Sequence, residues 1–156
     1  MLFRSVVESR LFDSVTVLIQ KEVAQRICAK PGTADYGAFS LLMQYYTEPE
    51  LLFIVPNTCF LPPPKVTSAV IHCPTRKTPP VQVNSEASLW RAVKAGFAQR
   101  RKTLVNSLQS GYPLPKDVLA EAIAECGLPA DVRGEKLSLE DYARLADALD
   151  AALAAK

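Results

Sequence analysis

Residues 51–73, "LLFIVPNTCFLPPPKVTSAVIHC", determine the architecture of the first half of the chain. Apolar and β-branched residues crowd both ends of this stretch, which is the composition of two buried strands. Between them, Pro62–Pro64 fix the backbone φ angle and withhold amide donors, so this segment forms neither a helix nor a central strand. The stretch therefore predicts two strands joined by a rigid loop, with Phe60 at one end of the loop and Lys65 at the other.

Helical and strand patterns alternate on either side of this loop. Apolar spacing predicts helices over 1–11, 21–29 and 36–47, and continuous apolar runs predict strands over 14–20, 50–56 and 66–73. This alternation predicts the α/β class. The strand at 14–20, "SVTVLIQ", has the composition of a strand that is buried on both faces and paired on both edges. Because so little chain precedes it, we expect an incomplete sheet whose exposed edge at 14–20 pairs with a second copy of the chain.

A proline-rich polar segment separates this α/β region from a region that is helical throughout. We expect residues 1–76 to form the α/β part, 77–85 a linker and 86–156 a small all-α domain. Helices are predicted over 86–109, over 116–126 and from 139 towards the end of the chain. Ser85 and Ser138 are the expected N-caps of the first and the last of these helices.

The charge is concentrated in the middle of the chain. Residues 51–116 contain nine Lys and Arg against one acidic residue, whereas residues 117–156 contain four basic and nine acidic residues. A basic segment bracketed by neutral and acidic ones indicates a polyanionic partner for that segment. The alternative is a solvated basic surface with no partner.

The predicted helix over 86–109 carries much of this charge. In a helical projection, its apolar residues form one stripe, and beside that stripe lies a cationic ridge of Arg91, Lys94, Arg101 and Lys102. Such a ridge suits the phosphates of a nucleic-acid backbone. Arg100 projects among the apolar residues instead, so we expect it to pair with a carboxylate or to reach out of a cleft.

The remaining composition limits the possible functions. No apolar run is long enough to cross a membrane, and the start of the chain lacks the uninterrupted apolar core of a signal peptide, so we expect a cytoplasmic protein. The four cysteines form no C-x-x-C pair, and the single histidine, His72, has no partner at metal-ligand spacing. We therefore expect buried free thiols and no metal site.

Four stretches of the chain together resemble one family. They are "QKEVAQRICAKPGTADYGAFS" at 20–40, "FLPPPKVTSAVI" at 60–71, "FAQRRKTLVNSL" at 97–108 and "RGEKLSLEDYARLADAL" at 133–149. In order and spacing they are similar to the ribosomal RNA adenine dimethyltransferases of the KsgA type. The proline loop alone is less specific, since erythromycin-resistance methyltransferases carry versions of it, but its combination with the arginine-rich stretch is specific.

The resemblance implies the C-terminal half of a class I, Rossmann-like methyltransferase sheet that uses S-adenosylmethionine, followed by a small helical domain. It implies that Phe60 stacks on the target adenine, that Pro62 and Pro64 shape the loop, and that Lys65 meets a phosphate. By the same resemblance, the RNA-binding residues are those of the helical domain: Arg91, Lys94, Arg100, Arg101 and Lys102. The alternative for Phe60 is a core position at the end of the sheet.

The family's glycine-rich cofactor loop and its Asn-Leu-Pro-Tyr-like catalytic motif have no counterpart in this sequence. We therefore expect no cofactor-binding residues in the chain, which alone would be an inactive part of a small-subunit rRNA adenine N6,N6-dimethyltransferase. Two alternatives stay open: a non-catalytic module that binds ribosomal RNA, and a related adenine methyltransferase that acts on large-subunit rRNA.

Overall fold

The structure is a computed structural model that describes residues 5–6, 9 and 11–155. The chain divides into two compact units, Met1–Pro80 and Val81–Lys156, called here the sheet unit and the helical unit. The division falls inside the segment 77–85, which the sequence indicates as a linker. The helix predicted over 1–11 lies mostly outside the described residues.

Three strands and two α-helices have bounds within the described residues of the sheet unit. In chain order these are β1 (Ser14–Gln20), α1 (Lys21–Ile27), α2 (Ala38–Tyr46), β2 (Glu50–Val55) and β3 (Ser68–Pro74). The strand order is β1-β3-β2, and both pairings are antiparallel. The last strand of the chain thus lies at the centre of the sheet, between the two earlier ones.

The composition of β1 is typical of a strand that is buried on both faces, but β1 lies at an edge of the described sheet, in agreement with the exposed edge expected at 14–20. Exposed and half-buried residues alternate along β1, and Leu18 is 49% exposed. The physical reason is that β1 pairs only with β3, so within the described sheet its second edge has no strand beside it. The central strand β3 is fully buried on one face, at Ala69, Ile71 and Cys73, and half-buried on the other.

Two polar side chains satisfy the carbonyl groups at the ends of α1 and α2. Gln44 Nε2 donates to the carbonyl oxygens of Ile27 and Ala29 at 3.1 and 2.8 Å. Arg76 Nε donates to the carbonyl oxygens of Gln44 and Thr47 at 3.0 and 3.1 Å. Carbonyl groups at the end of a helix have no hydrogen-bond partners within that helix. The Gln44 bonds therefore join the end of α1 to α2, and the Arg76 bonds join the end of α2 to the segment after β3.

Over residues 81–155, the helical unit contains four α-helices: α3 (Glu86–Gly96), α4 (Leu104–Leu108), α5 (Lys116–Glu125) and α6 (Leu139–Ala154). Both predicted N-caps are confirmed. Ser85 Oγ accepts from the Ser88 amide at 3.3 Å, and Ser138 Oγ accepts from the Asp141 amide at 3.1 Å. The core includes buried residues from all four helices and from the loop before α6: Leu89, Val93, Leu104, Leu108, Leu119, Ile123, Leu137, Tyr142, Leu145 and Leu149.

The single helix predicted over 86–109 is wrong, because α3 ends at Gly96 and α4 begins at Leu104. The Leu104 amide donates to the carbonyl of Val132 at 2.7 Å rather than to a preceding turn of helix. Ser107 Oγ donates to the carbonyl of Gln99 at 3.0 Å, which holds the intervening turn closed. The helical projection across this turn therefore does not apply, and Arg100, Arg101 and Lys102 lie in the turn.

The four cysteines are free thiols, as expected, but they are not all buried. Cys73 is buried, Cys28 and Cys126 are half-buried, and Cys59 is exposed. Burial, with a smaller effect from Cys28, raises the pKa of the Cys73 thiol to about 11. Its thiolate is therefore scarce at neutral pH.

Among the described residues, no helix is both long and apolar enough to cross a membrane.

Candidate nucleic-acid interface

The proline loop of the sheet unit is closed by Asn57 from two directions. Asn57 begins a short 3₁₀ turn, Asn57–Cys59, and its carbonyl accepts from the Phe60 amide at 3.2 Å. Across the loop, Asn57 Nδ2 donates to the carbonyl of Pro64 at 3.1 Å. The prolines restrict the loop from within, and Asn57 ties its two ends together. The backbone beside Phe60 is therefore held before any ligand arrives.

Exposure differs sharply along the loop. Phe60 is half-buried rather than sealed in the core, and its neighbour Leu61 is 98% exposed. Pro62 is exposed, and Pro64 is half-buried at the point where Asn57 holds it. The loop thus supports an aromatic ring at the surface of the sheet unit.

Lys65 ends the loop beside the first residue of α1. The Lys21 amide donates to the carbonyl of Thr67 at 2.9 Å, which fastens the end of the loop to α1. Both lysines line one groove of about 340 Å³. Sequence reasoning missed Asn57 and Lys21, because nothing in their spacing marks them as neighbours of the loop.

The five cations proposed for the helical unit are all exposed, but their surroundings differ. Lys94 lies in the last turn of α3, whereas Arg101 and Lys102 lie in the turn before α4. Arg100 Nε lies 4.0 Å from Glu135 Oε2, so the expected carboxylate partner is present, although the Arg100 side chain is 50% exposed and not buried. An ion pair so exposed contributes little to stability.

Arg91 has an intramolecular role that the sequence did not indicate. Its Nε and Nη2 donate to the carbonyl of Gly111 at 3.0 and 2.8 Å. Its guanidinium carbon lies 4.4 Å from the centre of the Tyr112 ring, which is a cation–π distance. Arg91 therefore holds the segment between α4 and α5 against α3, and its replacement would disturb the fold as well as any RNA contact.

The described residues do not fit the requirements of a nucleotide-cofactor cradle. Such a cradle needs a run of open backbone at closely spaced glycines. Gly96, Gly111 and Gly134 are instead packed so tightly that an added Cβ would lie within 3 Å of other atoms. Gly32 and Gly127 occupy turns with positive φ. The described residues also contain no group of three metal-ligating side chains that could hold a metal ion.

Comparison with solved structures defines the class of fold. A dimethyladenosine transferase from Plasmodium falciparum matches with a TM-score of 0.73 at 19% identity, covering 92% of this chain and 59% of that chain. The 23S rRNA methyltransferase ErmE matches with a TM-score of 0.66 at 22% identity, covering 96% of this chain and 59% of that chain. The chain therefore has a Rossmann-like methyltransferase fold.

Sequence comparison narrows this class to one family. The family model described as "Ribosomal RNA adenine dimethylase" matches residues 1–151, so the chain belongs to the ribosomal RNA adenine dimethylase family. It is 48% identical over 140 residues to the ribosomal RNA small subunit methyltransferase A of Lachnoclostridium phytofermentans, and 46% identical over 138 residues to that of a Geobacillus species. These matches cover 88% and 86% of this chain but 48% and 47% of the relatives. The chain thus spans about half the length of the curated relatives that it matches.

Proposed function

We propose that this chain is the adenine-stacking and RNA-binding part of an rRNA adenine N6,N6-dimethyltransferase. The full enzyme would act on adenosines near the 3′ end of small-subunit rRNA, with S-adenosylmethionine as methyl donor, in the cytoplasm. Family membership and the names of the relatives support this assignment. The observation that carries it is the braced loop, which supports Phe60 in a half-buried position.

The loop suits the requirements of methyl transfer to an exocyclic amine. An enzyme that modifies a base must take that base out of its stack and hold it against an aromatic or apolar surface. Stacking on one aromatic ring contributes about 1–3 kcal/mol per base. The ring is useful only if its position is set in advance, because small displacements at the reacting centre are costly. Pro62, Pro64 and the Asn57 bond would supply that positioning for Phe60.

The methyl transfer itself would use groups outside the described residues. The sulfonium of S-adenosylmethionine supplies an electrophilic methyl group when it is bound. We infer that this chain alone is inactive and binds S-adenosylmethionine weakly or not at all, since its glycines offer no cradle. Titration calorimetry that gave micromolar affinity for the isolated chain would contradict this inference.

Replacement of Phe60 tests the stacking role. The chain would be joined to the N-terminal half of the Lachnoclostridium phytofermentans relative, and methyl transfer to small-subunit RNA would be measured. Phe60→Ala should lower turnover about tenfold to a hundredfold, as expected for lost stacking. Phe60→Tyr keeps the flat ring and should retain most of the activity. Wild-type turnover in the Phe60→Ala variant would contradict the proposal.

The turn before α4 provides the proposed contact with RNA phosphates. Arg101 and Lys102 are exposed neighbours in that turn, whereas Arg91 is held by Gly111. The double variant Arg101→Glu and Lys102→Glu should bind RNA more weakly, with a flatter dependence of affinity on salt. Lys116→Glu with Arg144→Glu makes the same charge change on exposed residues of α5 and α6. Equal losses in both double variants would indicate only a general effect of net charge.

A non-catalytic module that binds ribosomal RNA remains the second candidate. The exposed Arg101 and Lys102 of the helical unit would serve RNA binding in either case. The joined enzyme described above separates the two candidates, because the module would bind RNA through the helical unit without supporting methyl transfer.

We also propose that the isolated chain associates with itself through β1. The two outer strands of the described sheet differ in regularity. β1 pairs with β3 in uninterrupted register over seven residues, whereas the pairing of β2 shifts between Leu51 and Phe53. Bulges discourage pairing with another strand, and flat apolar edges invite it. The edge of β1 is therefore the better template for a second copy.

A further inference from the structure

The groove between α1 and the proline loop combines residues that lie far apart in the sequence. Lys21, Glu22 and Gln25 come from α1, and Lys65 and Thr67 come from the end of the loop. The bond between the Lys21 amide and the carbonyl of Thr67 holds the two sides together at 2.9 Å. The groove is about 340 Å³ in volume.

The polar groups of this groove favour an anion. Within the described part of the chain, neither Lys21 nor Lys65 forms an ion pair. The Gln25 amide adds a neutral hydrogen-bond donor. Glu22 also lines the groove and opposes an anion there, so its charge should weaken binding. Two ammonium groups in one concave surface raise the local positive potential more than either does alone.

We infer that this groove binds a backbone phosphate of RNA beside the target adenosine, with Lys21 as its second cation. The inference rests on the proposed function, because it takes the occupant to be the RNA strand whose adenine reaches Phe60. Phe60 and Lys65 belong to one loop, and Asn57 bonds to both ends of it, at the Phe60 amide and the Pro64 carbonyl. A strand whose base stacks on Phe60 carries its phosphates past the end of the loop where Lys65 lies. An arrangement of this kind fixes the position of the strand without reading its sequence.

Anisotropy with a fluorescent single-stranded oligoribonucleotide tests the groove in the intact chain. Lys21→Ala should weaken binding about threefold to tenfold and reduce the slope of log affinity against log salt by about one. Glu22→Gln should act in the opposite direction and tighten binding. Lys30→Ala is the matched control, since Lys30 is an exposed lysine of the same unit outside the groove. Equal effects of Lys21→Ala and Lys30→Ala would overturn the inference, as would weaker binding in Glu22→Gln.

A modified oligonucleotide separates a local phosphate contact from general attraction. An uncharged methylphosphonate placed in turn at each linkage flanking one adenosine should, at one linkage, weaken wild-type binding but leave Lys21→Ala unaffected. If the loss from the methylphosphonate and the loss from Lys21→Ala are additive at every linkage, the inference of a phosphate site in the groove is overturned. If Phe60→Ala keeps full turnover while this non-additivity is found, the groove stands and the stacking role fails. A wild-type chain that does not bind RNA at low salt would overturn both.

Discussion

The two units of this protein differ in how completely they bury their apolar residues. The exposed large apolar side chains of the described residues all belong to the sheet unit: Leu11, Phe12, Leu18, Leu52, Phe53, Ile54, Leu61 and Val66. The helical unit has none of them, although it is of similar size. The helical unit thus closes a core by itself, whereas the sheet unit leaves much of its apolar surface unburied.

This difference follows from the architecture of each unit. Four helices can turn their apolar stripes towards a common centre, as those of the helical unit do. A sheet has two faces and two edges, and the sheet unit buries alternate residues of β3 but leaves Leu18 and Phe53 in contact with solvent. Exposed apolar patches of this kind mark surfaces that meet another protein surface. We therefore expect changes in the sheet unit to alter association, and changes in the helical unit to alter stability.

The largest expected effect concerns association of the isolated chain. Light scattering should detect dimers or larger species at high concentration, and Leu18→Lys should shift the population towards monomer because it places a charge on the edge strand. Phe53→Lys is the control, since it puts the same charge on the opposite outer strand. A chain that is monomeric at high concentration would contradict self-association. Equal effects of the two variants would indicate that the copies meet through the face of the sheet and not through the edge of β1.

The next effect concerns the close packing where α3 ends. An added Cβ on Gly96 would lie 2.9 Å from Cε1 of Tyr142, a fully buried ring. Tyr142 cannot easily move, because its hydroxyl donates to the carbonyl of Gly134 at 3.1 Å and its ring stacks on Phe97. Gly96→Ala should therefore destabilise the helical unit by about 2 kcal/mol, despite the better helix propensity of alanine. Chemical denaturation followed by circular dichroism measures this loss.

Gly37 provides the matched control in the sheet unit. It precedes α2 in an extended conformation, and an added Cβ there would have no atom within 4 Å. Gly37→Ala should be neutral or slightly stabilising, since it restricts only the unfolded chain. A loss of stability in Gly37→Ala as large as that in Gly96→Ala would refute the explanation by packing.

The sequence predicted most of the elements, because their signals are local. The cap at Ser138 is followed by an acidic residue three positions later, and this pattern alone indicates the start of α6. The end of α3 was missed because its cause is not local. Tyr142 fills the space beside Gly96, and Val132 supplies the carbonyl for the Leu104 amide. Neither neighbour could be known before the fold.

The candidate site likewise combines residues that a local sequence motif reveals with a residue that only the fold brings near. Phe60, the prolines and Lys65 are adjacent in sequence, so their motif could be recognised directly. Lys21 comes to the same groove only through the packing of α1 against the end of the loop. The exposure of β1 has a related explanation, since composition shows that a strand is apolar but not whether a neighbour covers it.

A smaller effect on stability is expected where Arg76 bonds to the carbonyl groups at the end of α2. Arg76→Ala removes the donor to the carbonyls of Gln44 and Thr47, and should lower the stability of the sheet unit by about 1–2 kcal/mol. Glu48→Gln removes only the charge that Arg76 Nη1 meets at 2.7 Å, and should cost little because Glu48 is largely exposed. Hydrogen exchange of the sheet-unit amides separates these outcomes. An equal loss in Glu48→Gln would show that the ion pair, and not the carbonyl bonds, holds the segment.

The smallest effect belongs to the helical unit and depends on pH. Tyr112 is buried, and its hydroxyl has no hydrogen-bond partner among the residues that the structure describes. Burial, aided by Asp150 and opposed by Arg91, raises the Tyr112 pKa to about 12. At neutral pH, Tyr112→Phe should leave stability unchanged or slightly higher, since no hydrogen bond is lost.

Above the pH at which an unfolded tyrosine ionises, wild type and Tyr112→Phe should diverge. The unfolded chain releases the tyrosine proton near pH 10, while the folded chain keeps it to about pH 12, so rising pH favours the unfolded wild-type protein. At pH 11 the wild type should have lost about 1 kcal/mol relative to the variant. The comparison cancels the lysine titrations that both proteins share. Parallel stability curves for the two proteins between pH 9 and pH 12 would show that Tyr112 ionises as easily folded as unfolded, and that the helical unit is more open around this ring than its packing indicates.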